Sequence, residues 1–416
     1  MMGLHCQLVG AVVVTVLTST LALSLIPRGS DVLLKVPLID GHNDLPYNLR
    51  MYVKNQLNKI DLSTDLTQDP VWGQLENSHT DLPRLRAGRL GAQFWSAFTE
   101  CDSQYKDSVQ VTLEQIDVIR RMVKAYPQDF QFVHSAQGIL DAFKKGKIGS
   151  LIGVEGGHSI GNELAVLRIL YRSGVRYMTL THECNTPWAD SSPADDPSSD
   201  VIAEHNGITT FGEAVVLEMN RLGMMVDLSH VSYKTMQDVL KITRAPVIFS
   251  HSSAYAICPH HRNVQDDILN TVRENGGVVM VNFFSEYVNC DNSRQATLED
   301  VVAHINYIRQ VAGVDHVGIG GDYDGVPSTP VGLEDVSKYP DLFDRLADTR
   351  PGEPVWTQED LKKLAGLNLI RVFKQVELVR DQLNEIGLSP LESQIQRSDL
   401  KNNIRCKSDF YTVIEN

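Results

Sequence analysis

Six ionisable side chains in this sequence follow short apolar runs, and their types suit divalent-cation chemistry. His42 and Asp44 lie two apart in Ile39-Asp40-Gly41-His42-Asn43-Asp44, so on an extended chain they project to the same side. Such a pair can clamp one ion, although taken alone the tripeptide is more often a surface turn. Glu155 closes the apolar run Leu151-Ile152-Gly153-Val154 and precedes Gly156-Gly157, which permit close backbone approach. A carboxylate buried there needs a cation. His230 ends Met224–His230 and His251 ends Pro246–His251. Either one by itself is more often a hydrogen-bonded core imidazole than a ligand. Asp322, in Gly320-Gly321-Asp322-Tyr323-Asp324-Gly325, reads as a polar turn or as a catalytic carboxylate.

Taken together the bland readings fail, because independent accidents would have to place all of these groups at the same end of five strands. Three imidazoles and two carboxylates suit zinc, and five protein ligands are too many for a single four-coordinate catalytic ion that keeps an open position. Two ions sharing a carboxylate use them well. Glu155, from a middle strand, is the expected bridge, with His42 and Asp44 on one ion and His230 and His251 on the other. Metals ~3.5–4 Å apart can hold a hydroxide between them and polarise a carbonyl at once.

The elements that must position these groups alternate between β-rich runs and stretches of helical period. The runs are 36–41, 91–98, 149–155, 176–182, 224–230, 246–251, 277–283 and 316–322. Between them, 113–126, 135–145, 163–173, 211–222, 232–242 and 298–312 carry apolar residues at three- and four-residue spacing, and a last such stretch covers 357–382. Eight βα units predict an α/β fold, a (β/α)₈ TIM barrel of the metal-dependent hydrolase type. Residues 189–199 and 324–352 read as long loops on the face where barrels keep their chemistry.

The 416 residues carry 38 basic and 52 acidic side chains, a net charge of -14, with no basic stripe, which argues against nucleic acid as a partner. Residues 8–27 are apolar or small and uncharged up to Pro27, with Ala22-Leu23-Ser24 as a cleavage-type pattern, so 1–26 is predicted to be a signal peptide; an uncleaved signal anchor is the lesser alternative. Beyond Cys6, the five cysteines Cys101, Cys184, Cys258, Cys290 and Cys406 show no zinc-ligand spacing, so disulfides or buried thiols both outrank metal binding. No N-x-S/T sequon occurs, and residues 407–416 are polar with no hydrophobic tail.

Several segments also resemble the membrane (renal) dipeptidase family: 39–46 (IDGHNDLP), 93–95 (QFW), 151–159 (LIGVEGGHS), 179–190 (TLTHECNTPWAD), 227–232 (DLSHVS), 245–255 (APVIFSHSSAY), 261–264 (HRNV) and 320–326 (GGDYDGV). The resemblance implies two Zn²⁺ ions per subunit held by His42, Asp44, the bridging Glu155, His230 and His251. It further implies that His182 contacts substrate and steadies the tetrahedral intermediate, that Arg262 binds the C-terminal carboxylate of a dipeptide, and that Asp322 carries the proton. Tyr255 and Asn263, within the same matched segments, are read as substrate-binding. Disulfides Cys101–Cys184 and Cys258–Cys290, and a homodimer linked through Cys406, are implied in the same way. Members of the family are usually glycosylated and held by a GPI anchor; the missing sequons and missing hydrophobic tail depart from that pattern.

The expectation is a zinc-dependent dipeptidase of the secretory pathway, extracellular or attached to the cell surface. A barrel over residues 30–390 would be followed by a tail, 391–416, that carries the intersubunit cysteine. Cysteinyl-glycine conjugates such as leukotriene D₄, and β-lactams, are further substrates the resemblance implies. One rival is another barrel amidohydrolase, but these commonly begin with H-x-H and a carboxylated lysine bridge, whereas Asp44 stands here in place of the second His. The other rival is a barrel kept for extracellular binding or adhesion with turnover lost, which the intact ligand set disfavours.

Overall fold

The structure is a computed structural model that describes residues 28–406 apart from 292 and 349, and apart from the side chains of 404–406. The segment 1–26, predicted to be a signal peptide, and the thiol of Cys406 lie outside the described residues.

Among the described residues, nine parallel strands form the sheet: β1 (Leu38–Asn43), β2 (Leu90–Phe98), β3 (Phe130–Phe132), β4 (Ile148–Glu155), β5 (Val175–Thr179), β6 (Met225–Asp227), β7 (Ile248–Phe249), β8 (Val278–Val281) and β9 (Val317–Ile319). Their order is β2-β1-β9-β8-β7-β6-β5-β4, and β4 pairs back onto β2 from Gly149↔Ala92 to Glu155↔Phe98, so eight strands close a barrel. Helices run between the strands, and the fold is the (β/α)₈ TIM barrel. The additional strand β3 pairs with Ile148–Ser150 of β4, before β5 joins that strand at Ile152. Three residues are too few to show a period, which is why this strand is not legible in the sequence.

Because successive side chains of a strand point to opposite faces, neighbours such as Leu38 and Ile39, Ile152 and Leu151, or Val226 and Met225 fall into two separate apolar clusters. One member of each pair packs with the surrounding helices. The other joins Phe94, Tyr177, Ile248 and Met280 with Leu369, Ile370 and Phe373 of the last helix. Each fully buried aliphatic or aromatic side chain of this kind contributes about 1.5–3 kcal/mol.

Capping groups stop and start the helices that feed the strands. Thr209 accepts a hydrogen bond from the Gly212 amide at the start of the helix Thr210–Leu222. Gly223 ends that helix at φ 79°, the left-handed conformation that glycine takes without a Cβ penalty, and the chain turns straight into β6. Ser232 caps the next helix, Tyr233–Ile242, in the same way.

The structure refines the boundaries read from the sequence. The final helical stretch is two helices, Gln358–Lys362 and Asn368–Glu385, separated by a wider turn over 363–367. Helices Leu45–Val53, Leu82–Ala87, Asp266–Asn275 and Tyr339–Ala347 were not expected; the last lies inside the predicted loop 324–352. The ladder also stops early in several runs. β5, β6, β7 and β9 end at Thr179, Asp227, Phe249 and Ile319, so His182, His230, His251 and Asp322 all lie just beyond the last paired residue. Freed from the ladder, the backbone there can turn each side chain toward the mouth of the barrel.

Candidate metal centre

Glu155, the last residue of β4, is buried, and its two oxygens face different partners. Oε2 lies 3.3 Å from His42 Nε2, which in turn lies 3.2 Å from Asp44 Oδ2. Oε1 lies 3.2 Å from His230 Nε2 and 3.4 Å from His251 Nε2. The five predicted ligand residues therefore come together, sorted into His42 with Asp44 on one oxygen and His230 with His251 on the other. Two further groups join them: His182 with Glu155 and His230, and Asp322 with His42 and Asp44, each set having its donor atoms within 4.8 Å of one another.

Each ligand imidazole is held through its other nitrogen. The Tyr177 hydroxyl donates to the Gly41 carbonyl at 3.0 Å and therefore accepts from His42 Nδ1 at 2.8 Å. The Ser250 hydroxyl donates to Asp227 and accepts from His251 Nδ1 at 2.8 Å. The Glu183 carboxylate accepts from His230 Nδ1 at 2.8 Å. This hydrogen-bond network places a proton on Nδ1 in all three rings and turns the three Nε2 atoms toward Glu155, where they can serve as ligand atoms. His42 Nε2 and Asp44 Oδ1 are buried with no hydrogen-bond partner. Buried polar atoms without partners are costly, and a divalent cation is the partner this donor set fits.

The electrostatics agree. Burial disfavours a proton on His42, but Glu155, Tyr177 and Asp44 outweigh it and hold the imidazole well above its ordinary pKa in the metal-free protein. Glu155 sits well below the ordinary carboxylate range although burial opposes this, because His42 and His230 favour its charged form. His251 is driven well below, by burial first and then by His42 and Arg262. These carboxylates draw positive charge to one point, which is what a cation site does. Burial, reinforced by Asp44 and Glu155, pushes Asp322 up to about 7, with His42 opposing. Asn282 donates to its Oδ2 at 2.8 Å.

Two of these residues hold backbone conformations that non-glycine residues rarely adopt: φ is 65° at His230 and 61° at Asp322. Each lies three residues beyond a strand end, and the left-handed turn aims their side chains inward, a strain typical of functional positions. Gly325 is needed for a different reason. A Cβ there would stand 2.2 Å from Asp44 Oδ2 and 2.9 Å from Asp322 Oδ1.

Above the cluster opens a cavity of about 310 Å³, lined among others by Asp44, Glu155, His182, Asp322, Phe98 and Tyr287. His182 is half-buried between the rings of Phe98 and His230, at 4.7 and 4.4 Å, and burial followed by the His230 charge lowers its pKa to about 3. Arg262 is only 1% exposed, behind Tyr287, whose ring lies 5.3 Å from the guanidinium carbon. It donates to Ser252 Oγ at 3.3 Å and to the His251 carbonyl at 3.1 Å, and its Nε has no hydrogen-bond partner. Asn263 does not line the cavity; its amide donates to the Cys258 and Tyr287 carbonyls at 2.9 and 2.8 Å and so braces the Tyr287 segment. Tyr255, 39% exposed, lines a neighbouring groove with Asp195, Tyr233 and His261 instead.

Sequence reasoning missed Tyr177, Ser250, Asp227 and Glu183, which hold the ligands. Ser250 and Asp227 stand beside or near strand-end histidines, a usable signal; nothing in the sequence points Tyr177 at His42, 135 residues away. The disulfides Cys101–Cys184 and Cys258–Cys290 are both formed, with Cα separations of 6.0 and 5.1 Å.

A model of the membrane dipeptidase family, peptidase family M19, matches residues 27–387. Among solved structures, dipeptidase AC, a metallopeptidase of family M19, shares 26% identity at a TM-score of 0.70, with 82% of this chain and 98% of that one covered. A metallopeptidase from Rhodobacter sphaeroides, solved with a phosphinate mimic of the dipeptide L-Ala-D-Ala, shares 25% identity at a TM-score of 0.70, covering 82% and 99%. The probable dipeptidase PvdM from Pseudomonas aeruginosa resembles the chain in fold, with a TM-score of 0.72 at 20% identity and coverage of 84% and 98%.

Proposed function

The chain belongs to the membrane dipeptidase family, peptidase family M19, it is a metallodipeptidase, and on that premise we propose that it hydrolyses dipeptides with two zinc ions held by His42, Asp44, Glu155, His230 and His251. The observation that carries this reading is that one buried carboxylate meets His42, with Asp44 beside it, through one oxygen and His230 and His251 through the other. Bound there, the ions supply Lewis acidity toward the scissile carbonyl and a water made nucleophilic at neutral pH.

The protein's own groups do the rest. Asp322 is buried at the cavity floor with a pKa near neutrality, Asn282 occupies its Oδ2, and the carboxyl can accept the proton of the attacking water and return it to the leaving amine. His182, kept neutral, presents one ring N–H toward the oxygen that gains charge. Arg262, behind Tyr287, supplies the positive charge for the C-terminal carboxylate, and its Nε makes no hydrogen bond in the free protein. The small cavity suits a dipeptide, and the relative that carries a mimic of L-Ala-D-Ala supports that substrate class. Cysteinyl-glycine conjugates such as leukotriene D₄, and β-lactams, are proposed as further substrates because each presents one amide next to a carboxylate.

We also propose a barrel unit over 30–390 and a tail, 391–416, whose Cys406 links two copies. Two intrachain disulfides leave Cys406 outside them, and disulfides suit the oxidising, extracellular side of the secretory pathway. No helix among the described residues is long and apolar enough to cross a membrane. The deciding experiment is metal analysis beside a dipeptide assay: about two zincs per chain and chelator-sensitive hydrolysis are expected, and a fully active protein that holds no zinc would overturn the site. For the dimer, Cys406→Ser should abolish the double-mass band in non-reducing electrophoresis.

A further inference from the structure

Of the three side chains that hold the ligand imidazoles, Glu183 alone carries a charge directly onto a ring and alone lines the cavity, with 40% of its side chain exposed. The same oxygen that accepts from His230 Nδ1 lies 4.0 Å from the unpaired Nε of Arg262, which is itself 1% exposed. The residues on either side of Glu183 are anchored. Its neighbour Cys184 is bonded to Cys101, and on its other side His182 packs against Phe98 at 4.7 Å. Arg262 is fixed independently, by Ser252, the His251 carbonyl and the Tyr287 ring.

Removing Glu183 would therefore change the charge felt at Arg262 more than its position. A carboxylate held this close to a buried guanidinium opposes part of the attraction that a second anion would feel, and its 40% exposure keeps that effect moderate.

We propose that Glu183 is a specificity-determining residue that attenuates Arg262, setting how strongly the enzyme prefers a free C-terminal carboxylate over an uncharged end. The inference rests on the reading of Arg262 as the carboxylate-binding group. With Glu183 in place the preference is moderate, so that uncharged or bulky C-terminal ends remain usable and a product carrying a carboxylate is not retained.

The test compares holoenzyme kcat/KM for L-Ala-D-Ala and for its C-terminal amide. Glu183→Gln keeps the side-chain shape and an oxygen for His230 but removes the charge. It should raise the free-acid to amide ratio ~3- to 10-fold, mainly by lowering KM for the free acid. Glu183→Asp, which restores the charge, should return the ratio to within ~2-fold of wild type, an outcome that a merely structural role would not produce. A Glu183→Gln ratio equal to or below wild type overturns the inference while leaving Arg262 its role. A wild-type enzyme indifferent to amidation removes the Arg262 reading and this inference together.

Discussion

His230 Nε2 and His251 Nε2 lie 2.9 Å apart, and each ring has its Nδ1 proton committed to another acceptor. At that distance the two atoms share one proton as a hydrogen bond, and a cation that both nitrogens ligate would take the place of that proton. The holding groups, Glu183 for one ring and Ser250 backed by Asp227 for the other, keep this arrangement in place before any ion binds, which is how a metal site is preorganised.

The hold on the third imidazole gives the first prediction. Tyr177→Phe removes the hydroxyl that accepts from His42 Nδ1 and donates to the Gly41 carbonyl. Zinc affinity should fall ~10-fold or more, as for other partners of ligating histidines. Competition with a graded chelator measures it, and undiminished zinc retention would contradict the assignment of the His42 tautomer.

Asp322→Asn should lower kcat by ~10²–10⁴-fold, the range of a lost general acid–base group, with zinc content kept and KM changed little. The asparagine matches the carboxyl in size and can still meet Asn282, so loss of zinc in this variant would instead make Asp322 a ligand.

Gly325→Ala adds one methyl group where Asp44 Oδ2 would be 2.2 Å from it. Because the segment follows a strand end at the cavity rim, the fold should survive while Asp44 is displaced. Loss of zinc and activity is expected alongside an almost unchanged circular dichroism spectrum and melting temperature.

Asp324 allows a test by pH. Burial raises its carboxyl to about 6, against hydrogen bonds from Thr80, Asn48 and the His79 amide. With the folded pKa above the unfolded one, the stabilisation is complete below about pH 4 and is lost as pH rises through about 6. His79, lowered to about 4 chiefly by burial, works in the opposite direction over the same range, so the wild-type profile alone hides the effect. The difference between wild type and Asp324→Asn exposes it. The variant should gain on the order of 2 kcal/mol relative to wild type between pH 4.5 and pH 7. Melting curves at the two pH values read this out, and a constant difference would refute it.

Much of the barrel is legible in the sequence, for a simple reason. Apolar runs with an ionisable residue at the end can be seen along the chain, and a period of two or of 3.6 residues is a local property. The same locality explains the misses. β3 is three residues long, the helix Tyr339–Ala347 lies in what reads as a loop, and the last helical stretch is broken at 363–367.

By itself the sequence determined which ionisable residues stand at or just past the strand ends of the (β/α)₈ barrel, among them His42, Glu155, His230, His251 and Asp322, and that its cysteines avoid zinc-ligand spacing. Only the tertiary structure decided which oxygen of Glu155 faces which histidine and which nitrogen of each ring is left open. It also decided that Tyr255 and Asn263 stand away from the cavity while Glu183 stands inside it. The reason is physical: side-chain type and spacing act along the chain, whereas tautomer, partner and exposure are set by groups that closure of the barrel brings together from distant parts of it, such as Tyr177 and His42, 135 residues apart, or Asn48 and Asp324, 276 apart.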